Sequence, residues 1–204
     1  MTGSLVRWSG LALCIAAVAT LALNIVVSPN LPTGSFAVVA ASQTYFLRQC
    51  IASAIALLLV FGIVGIHVGR PGRVSLFATI AFVIALSGQV TLFAIEYGQA
   101  FQVHDYALHA PAMLDQAMTD PKRPLAIGAI IAILGFFVGW LLLSLSLLVA
   151  GLYSRIGAGL ILIGLPLLFA TKGLGVYGGI ITSAVTGAGW FLIGWHMMRR
   201  RTPD

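Results

Sequence analysis

The sequence predicts an all-α, polytopic bundle of six membrane-spanning helices with both termini on the cytoplasmic side. Three observations lead there. Only 8% of the 204 residues are charged, against roughly 25% in a soluble domain. The mean hydropathy is +1.05, and the apolar residues fall into runs of about 20, the length that crosses a hydrocarbon core. Short links rich in Gly, Pro and Arg separate these runs. Residues 1–204 therefore read as one transmembrane domain.

The first span covers about residues 5–27 and stops at Ser28-Pro29-Asn30-Leu31-Pro32-Thr33-Gly34, a stretch that cannot continue a helix. The second covers about 45–68 and ends at Gly69-Arg70-Pro71-Gly72-Arg73. A link this short returns the third span, about 74–101, alongside the second. Residues 102–123 form the main hydrophilic segment, an external loop holding His104, Asp105, His109, Asp115, Asp120 and Lys122. The fourth span, about 124–152, opens on Pro124, whose missing N–H costs nothing at a helix start.

The remaining 43 residues from Ile156 to Met198 are too many for one crossing. Lys172-Gly173-Leu174-Gly175 divides them into spans of about 156–171 and 176–198. Pro166 lies inside the fifth span, where it removes a hydrogen bond and predicts a kink. A five-span reading, with 156–171 as a re-entrant segment, is the alternative.

Cationic residues set the orientation, because they collect on the cytoplasmic side. With the N-terminus inside, that side holds Arg7, Arg70, Arg73, Arg155, Arg199, Arg200 and Arg201. The outside holds Arg48, Lys122, Arg123 and Lys172, with most of the acidic residues. This bias accounts for the net charge of +6 and gives no reason to invoke nucleic acid. Arg199-Arg200-Arg201 reads as a stop-transfer anchor, with contact to anionic lipid as the alternative. A cleaved signal peptide is the rival for the first span, but no small-x-small site follows its apolar run directly. The expected location is a plasma membrane, with membrane lipids as partners and a homo-oligomer or larger membrane complex as a further possibility.

Cys14 and Cys50 are expected at different depths, too far apart to bridge. Glycines spaced by four residues (Gly65–Gly69, Gly135–Gly139, Gly175–Gly179) predict close helix packing. Trp8, Trp190 and Trp195 read as interfacial anchors near span ends and Trp140 as core. The Gly65–Arg70 and Gly151–Arg155 hairpins resemble one another, by duplication or by chance.

Glu96 is the foremost candidate for chemistry. A charge inside a span is costly, so it faces the protein or water and takes a partner. Gln89, Glu96 and Gln99 lie at spacings of seven and three, on one helix face. Asn24, Arg48 with Gln49, and Lys172 fall at a similar depth on other elements. These residues outline an outward-facing polar pocket centred on Glu96. The competing reading makes Glu96 a headgroup contact, or one half of a structural ion pair with Arg48 or Lys172.

No catalytic residue, metal ligand set or cofactor is assigned. The sequence carries no HExxH, GxSxG, GxxxxGK[ST] or GxGxxG. Asp105 and His109 share a face if their segment is helical, but three ligands with closed geometry are not in view.

Six short-looped spans, the Gly151-Leu152-Tyr153 turn, and Glu96 followed by the Pro111-bearing loop resemble a loose group of uncharacterised small bacterial membrane proteins. The resemblance implies a bacterial inner-membrane location. That group has no assigned activity, so it supplies no catalytic residues. The sequence thus points to an accessory or small-ligand- or lipid-binding membrane protein. The alternatives are a small transporter or channel acting as an oligomer, and a membrane-embedded enzyme on a lipid-like substrate.

Overall fold

Helix α1 (Thr2–Ala22) runs on through a π-helical turn, Leu23–Val27, and a 3-10 turn, Ser28–Asn30. The computed structural model describes residues 2–70, 72, 74–119 and 124–199. Arg73, Asp120, Lys122, Arg123, Arg200 and Arg201, which entered the charge count above, lie outside the described residues. After α1 come a short α2 (Phe36–Ala40) and then α3 (Gln43–Val68) and α4 (Leu76–Gly98). Ser42 and Ser75 cap α3 and α4, their hydroxyls accepting from the Tyr45 and Ala78 amides.

A second π-helical turn, Gln99–Val103, carries α4 into α5 (His104–His109), so the helical run extends 34 residues from Leu76 to His109. Helix α6 (Pro111–Thr119) follows. The segment expected as an external loop is therefore largely helical where it is described. Val103, Ala107 and Leu114 give it an apolar face that buries against Ala37, Ala40 and Tyr45.

The second half is α7 (Pro124–Ala150), α8 (Arg155–Ala170), a 3-10 turn at Lys172–Leu174, and α9 (Val176–Arg199). The break expected at Lys172 is present, with Gly175 at a φ of 56° that suits glycine. Pro166 lies within α8, which continues past it to Ala170. Among the described residues, five helices are long and apolar enough to cross a membrane, and α8, at 16 residues, is shorter. This is an all-α, polytopic membrane-helix bundle.

The large helices close into a ring: α1 packs on α3, α3 on α4, α4 on α7, α7 on α8, α8 on α9, and α9 back on α1. Leu13, Ile63, Trp140, Leu143, Ile161 and Ile193 fill its middle, each fully buried. The outer surface is apolar, with Val149 and Ile163 among many exposed aliphatic side chains. Lipid is the solvent that tolerates such a surface.

Glycine sets the closest contact. A Cβ on Gly88 of α4 would stand 2.2 Å from the Gly135 carbonyl carbon and oxygen of α7, and one on Gly139 would stand 2.5 Å from the Ala85 Cα. The Gly135–Gly139 spacing therefore does what small residues one turn apart do, letting two backbones touch. Trp190 departs from its expected place. It lies mid-helix on the inward face of α9, 4% exposed, with its ring 5.4 Å from that of Trp140, so it is core and not an interfacial anchor. Cys14 and Cys50 are both free thiols.

Candidate functional site

Helix α3 presents Tyr45, Gln49 and Ser53 at intervals of four, one stripe on a helix, and all three are buried. The end of α4 presents Glu96, and the π turn after it presents Gln99, against that stripe. Gln49 Nε2 donates to Glu96 Oε2 at 2.7 Å and to Gln99 Oε1. Tyr45 Oη donates to the same Gln99 oxygen at 2.9 Å. On the other side of Gln49, Arg48 Nη1 donates to Gln49 Oε1, and Arg48 Nε reaches Ser28 Oγ at 3.3 Å.

Donor chemistry dictates this order. A guanidinium only donates and a carboxylate only accepts, so a glutamine between them must turn its oxygen to Arg48 and its NH₂ to Glu96. His109 Nδ1 and Asp105 Oδ1 approach directly, to 3.2 Å, and are well exposed. Arg48 and Glu96 are instead joined through the Gln49 amide.

One layer deeper, Gln89 is fully buried. Its Nε2 donates to the Ala56 carbonyl at 3.1 Å, and its Oε1 accepts from Trp140 Nε1 at 2.9 Å. A buried amide left unpaired would be expensive in this apolar setting, and both of its ends are occupied.

Beside these groups lies a cleft of about 170 Å³. Asn24, Arg48, Gln89 and Glu96, with Thr20, supply its polar lining. Ile55, Leu59, Leu92 and Phe136 supply much of the apolar wall, and the buried Trp190 also borders it. Asn24 donates from Nδ2 to the Thr20 carbonyl at 2.9 Å, and its Oδ1 lies against Gly179. Of the six residues anticipated for a pocket, four line this cleft. Gln99 lies in the adjoining hydrogen-bond network. Lys172 does not join them; it is exposed on its 3-10 turn.

Two features were not anticipated. Both π-helical turns described in the chain lie at this site: Asn24 is in the first and Gln99 opens the second. A π turn shifts the backbone bond to i→i+5 and changes the direction in which the next side chains point. The second feature is a cap. The Ala37 amide, in the first turn of α2, donates to Asp115 Oδ1 at 2.8 Å, tying α2 to α6. His104 Nδ1 meets the Ala40 carbonyl at 2.6 Å, which places a proton on that nitrogen. The Phe36 ring packs edge-on against Tyr45. Tyr45 thereby joins the cap to the Gln49–Glu96 network.

Among the described residues, no group of three or more His, Cys, Asp or Glu side chains gathers to hold a metal. The lining sets a basic, an acidic and an amide side chain beside a hydrocarbon wall, an arrangement able to hold a molecule with one polar and one apolar part. No protein-family model matches the chain, and no curated protein or solved structure is similar to it.

Proposed function

We propose that this protein binds a small amphipathic molecule or lipid headgroup in the cleft beside Glu96, and that this cleft opens toward the outer face of a bacterial inner membrane. The observation that carries the proposal is convergence. Asn24, Arg48, Gln89 and Glu96 are far apart in sequence yet line one cleft with an apolar wall. Intramembrane ionisable groups are costly and rare, and two of them lining one cleft and joined through Gln49 are explained by a polar group bound there. In this reading the chain crosses the membrane six times with both termini in the cytoplasm. The antiparallel pairing of α8 with α9 and the seven-to-four division of cationic residues support it.

Native mass spectrometry of the protein in mild detergent tests the proposal. The wild type should retain a small-molecule or lipid adduct. Glu96→Gln keeps the shape and removes the charge, so it should weaken retention by about tenfold, the scale of one charge-assisted hydrogen bond. An adduct retained equally by the variant would overturn the reading.

A further inference from the structure

At the opposite end of the bundle, Arg70 follows the last turn of α3 and is only half-buried. Its Nη2 donates to Ser146 Oγ of α7 at 2.7 Å. Ser146 is 3% exposed and gives its own proton to the Leu143 carbonyl at 2.7 Å, so its oxygen is fixed as an acceptor that holds the guanidinium in place. Arg70 Nε is buried and has no acceptor among the described residues. A guanidinium carries five N–H donors, and Ser146 takes one of them.

No carboxylate among the described residues stands beside this charge. Among the described residues, the carboxylates are Glu96, Asp105 and Asp115, and all three belong to the other end of the bundle. Burial without a carboxylate pulls the Arg70 pKa below the usual arginine value. Arginine has enough margin to remain protonated at neutral pH.

Arg70 borders a cleft of about 380 Å³ between the start of α4 and the end of α7. Ser75 and Ser146 are its other polar lining residues, and Val74, Phe77, Val149 and Leu152 are apolar. Leu152 also borders a neighbouring cleft of about 350 Å³ that holds Tyr153, His196 and Arg199. This end of the bundle is therefore cationic, grooved and walled with hydrocarbon.

We infer that the Arg70–Ser146 cleft binds a phosphate group, with the guanidinium fork on its oxygens and the apolar wall along whatever the phosphate carries. An arginine held by a buried hydroxyl presents its terminal Nη donors in a fixed plane, which matches two phosphate oxygens better than a solvated lysine would. The phosphate has two possible sources, an anionic phospholipid headgroup or a free phosphate compound. The apolar lining is shared with the lipid-facing surface, since Val149 is 75% exposed.

The test presents the purified full-length protein, in mild detergent, with equal amounts of phosphatidylglycerol and phosphatidylcholine. Bound lipid is read by native mass spectrometry, with and without inorganic phosphate. Wild type should prefer the anionic lipid by about fivefold, the scale of one basic residue at an anionic surface. Arg70→Met keeps the apolar stem, and the preference should fall to parity, whereas Arg7→Gln, an exposed arginine near the same end, should leave it unchanged. If inorganic phosphate binds wild type but not Arg70→Met and displaces the lipid, the phosphate site stands and a free phosphate compound is its source. If Arg70→Met does not fold, Ser146→Ala serves in its place, since it frees the guanidinium and should lower the preference. Equal retention of both lipids by wild type with no phosphate binding, or a preference unchanged in the folded Arg70 or Ser146 variant, overturns the inference.

Discussion

Gln49 on α3 stands between Arg48 and Glu96 and hydrogen-bonds to both, with 2.7 Å from its Nε2 to Glu96 Oε2. The two charges are thereby coupled through one amide. Gln49→Leu keeps roughly the same volume but removes both bonds, together with the one to Gln99. It should lower stability by about 1–3 kcal/mol, because a carboxylate and a guanidinium each lose a partner. Combining it with Glu96→Gln should cost less than the two single changes added together. The coupling should be about 0.5–1.5 kcal/mol, the upper range for polar pairs in membrane helices. A double-mutant cycle on thermal or denaturant unfolding in detergent measures it. Strict additivity would show that Gln49 does not link the pair.

Gln89 makes the corresponding prediction for the core. Its Oε1 is the acceptor for Trp140 Nε1 at 2.9 Å, and both side chains are fully buried. Gln89→Leu should destabilise by about 1–3 kcal/mol by leaving the indole N–H unpaired. Trp140→Phe removes that donor, so adding it should cost less in the Gln89→Leu background than in the wild type. Equal cost in both backgrounds would mean that the bond contributes nothing.

Much of this site was legible in the sequence, and the missing parts share a cause. Hydropathy gives depth along a helix, and helical spacing gives the face. Asn24, Arg48, Gln89 and Glu96 were gathered on those two measures, and they line one cleft. The central position of Gln49 was available by the same reasoning, since Tyr45, Gln49 and Ser53 recur every four residues. Tyr45 was missed because an aromatic at a span end resembles an interfacial anchor. Trp190 was misplaced for the same reason. Lys172 was grouped by its expected depth, but it lies exposed on a 3-10 turn away from the cleft, and no periodicity foretells that. The α2–α5–α6 cap was hidden because it depends on contacts between segments more than 60 residues apart, such as Ala37 with Asp115 and Ala40 with His104.

Two glycines on α7 provide a controlled comparison. A Cβ at Gly139 would stand 2.5 Å from the Ala85 Cα and 2.9 Å from its nitrogen, both backbone atoms that cannot rotate away. At Gly128 nothing lies within 4 Å. Gly139→Ala should therefore force α4 and α7 apart and cost about 1–3 kcal/mol. Gly128→Ala should be neutral or stabilising by up to about 1 kcal/mol, the gain in helix propensity. Melting temperatures in detergent compare the two, and a Gly139→Ala protein as stable as Gly128→Ala would contradict the close packing.

The last prediction concerns α8. Its 16 residues span about 24 Å at 1.5 Å per residue, less than a hydrocarbon core of about 30 Å. Length alone favours a re-entrant segment, but its pairing with α9 argues for a full crossing. A Cβ at Gly157 would meet the Gly189 carbonyl, one at Gly164 would meet Thr186, and Thr171 Oγ1 reaches the Gly178 carbonyl at 3.3 Å. Helix α8 thus runs antiparallel to α9 from Gly178 to Gly189 and beyond, keeping step with a helix that is itself long enough to cross. The polar ends, Arg155 and Lys172, extend its reach to the two interfaces. Replacing the native cysteines and adding single ones at Arg155 and Lys172 allows each end to be labelled by a membrane-impermeant thiol reagent in oriented vesicles. Position 172 should label from the same side as a cysteine at Asp115, and position 155 from the other side. Labelling of both ends from one side would make α8 re-entrant and reverse the side assigned to every residue before it relative to the C-terminus.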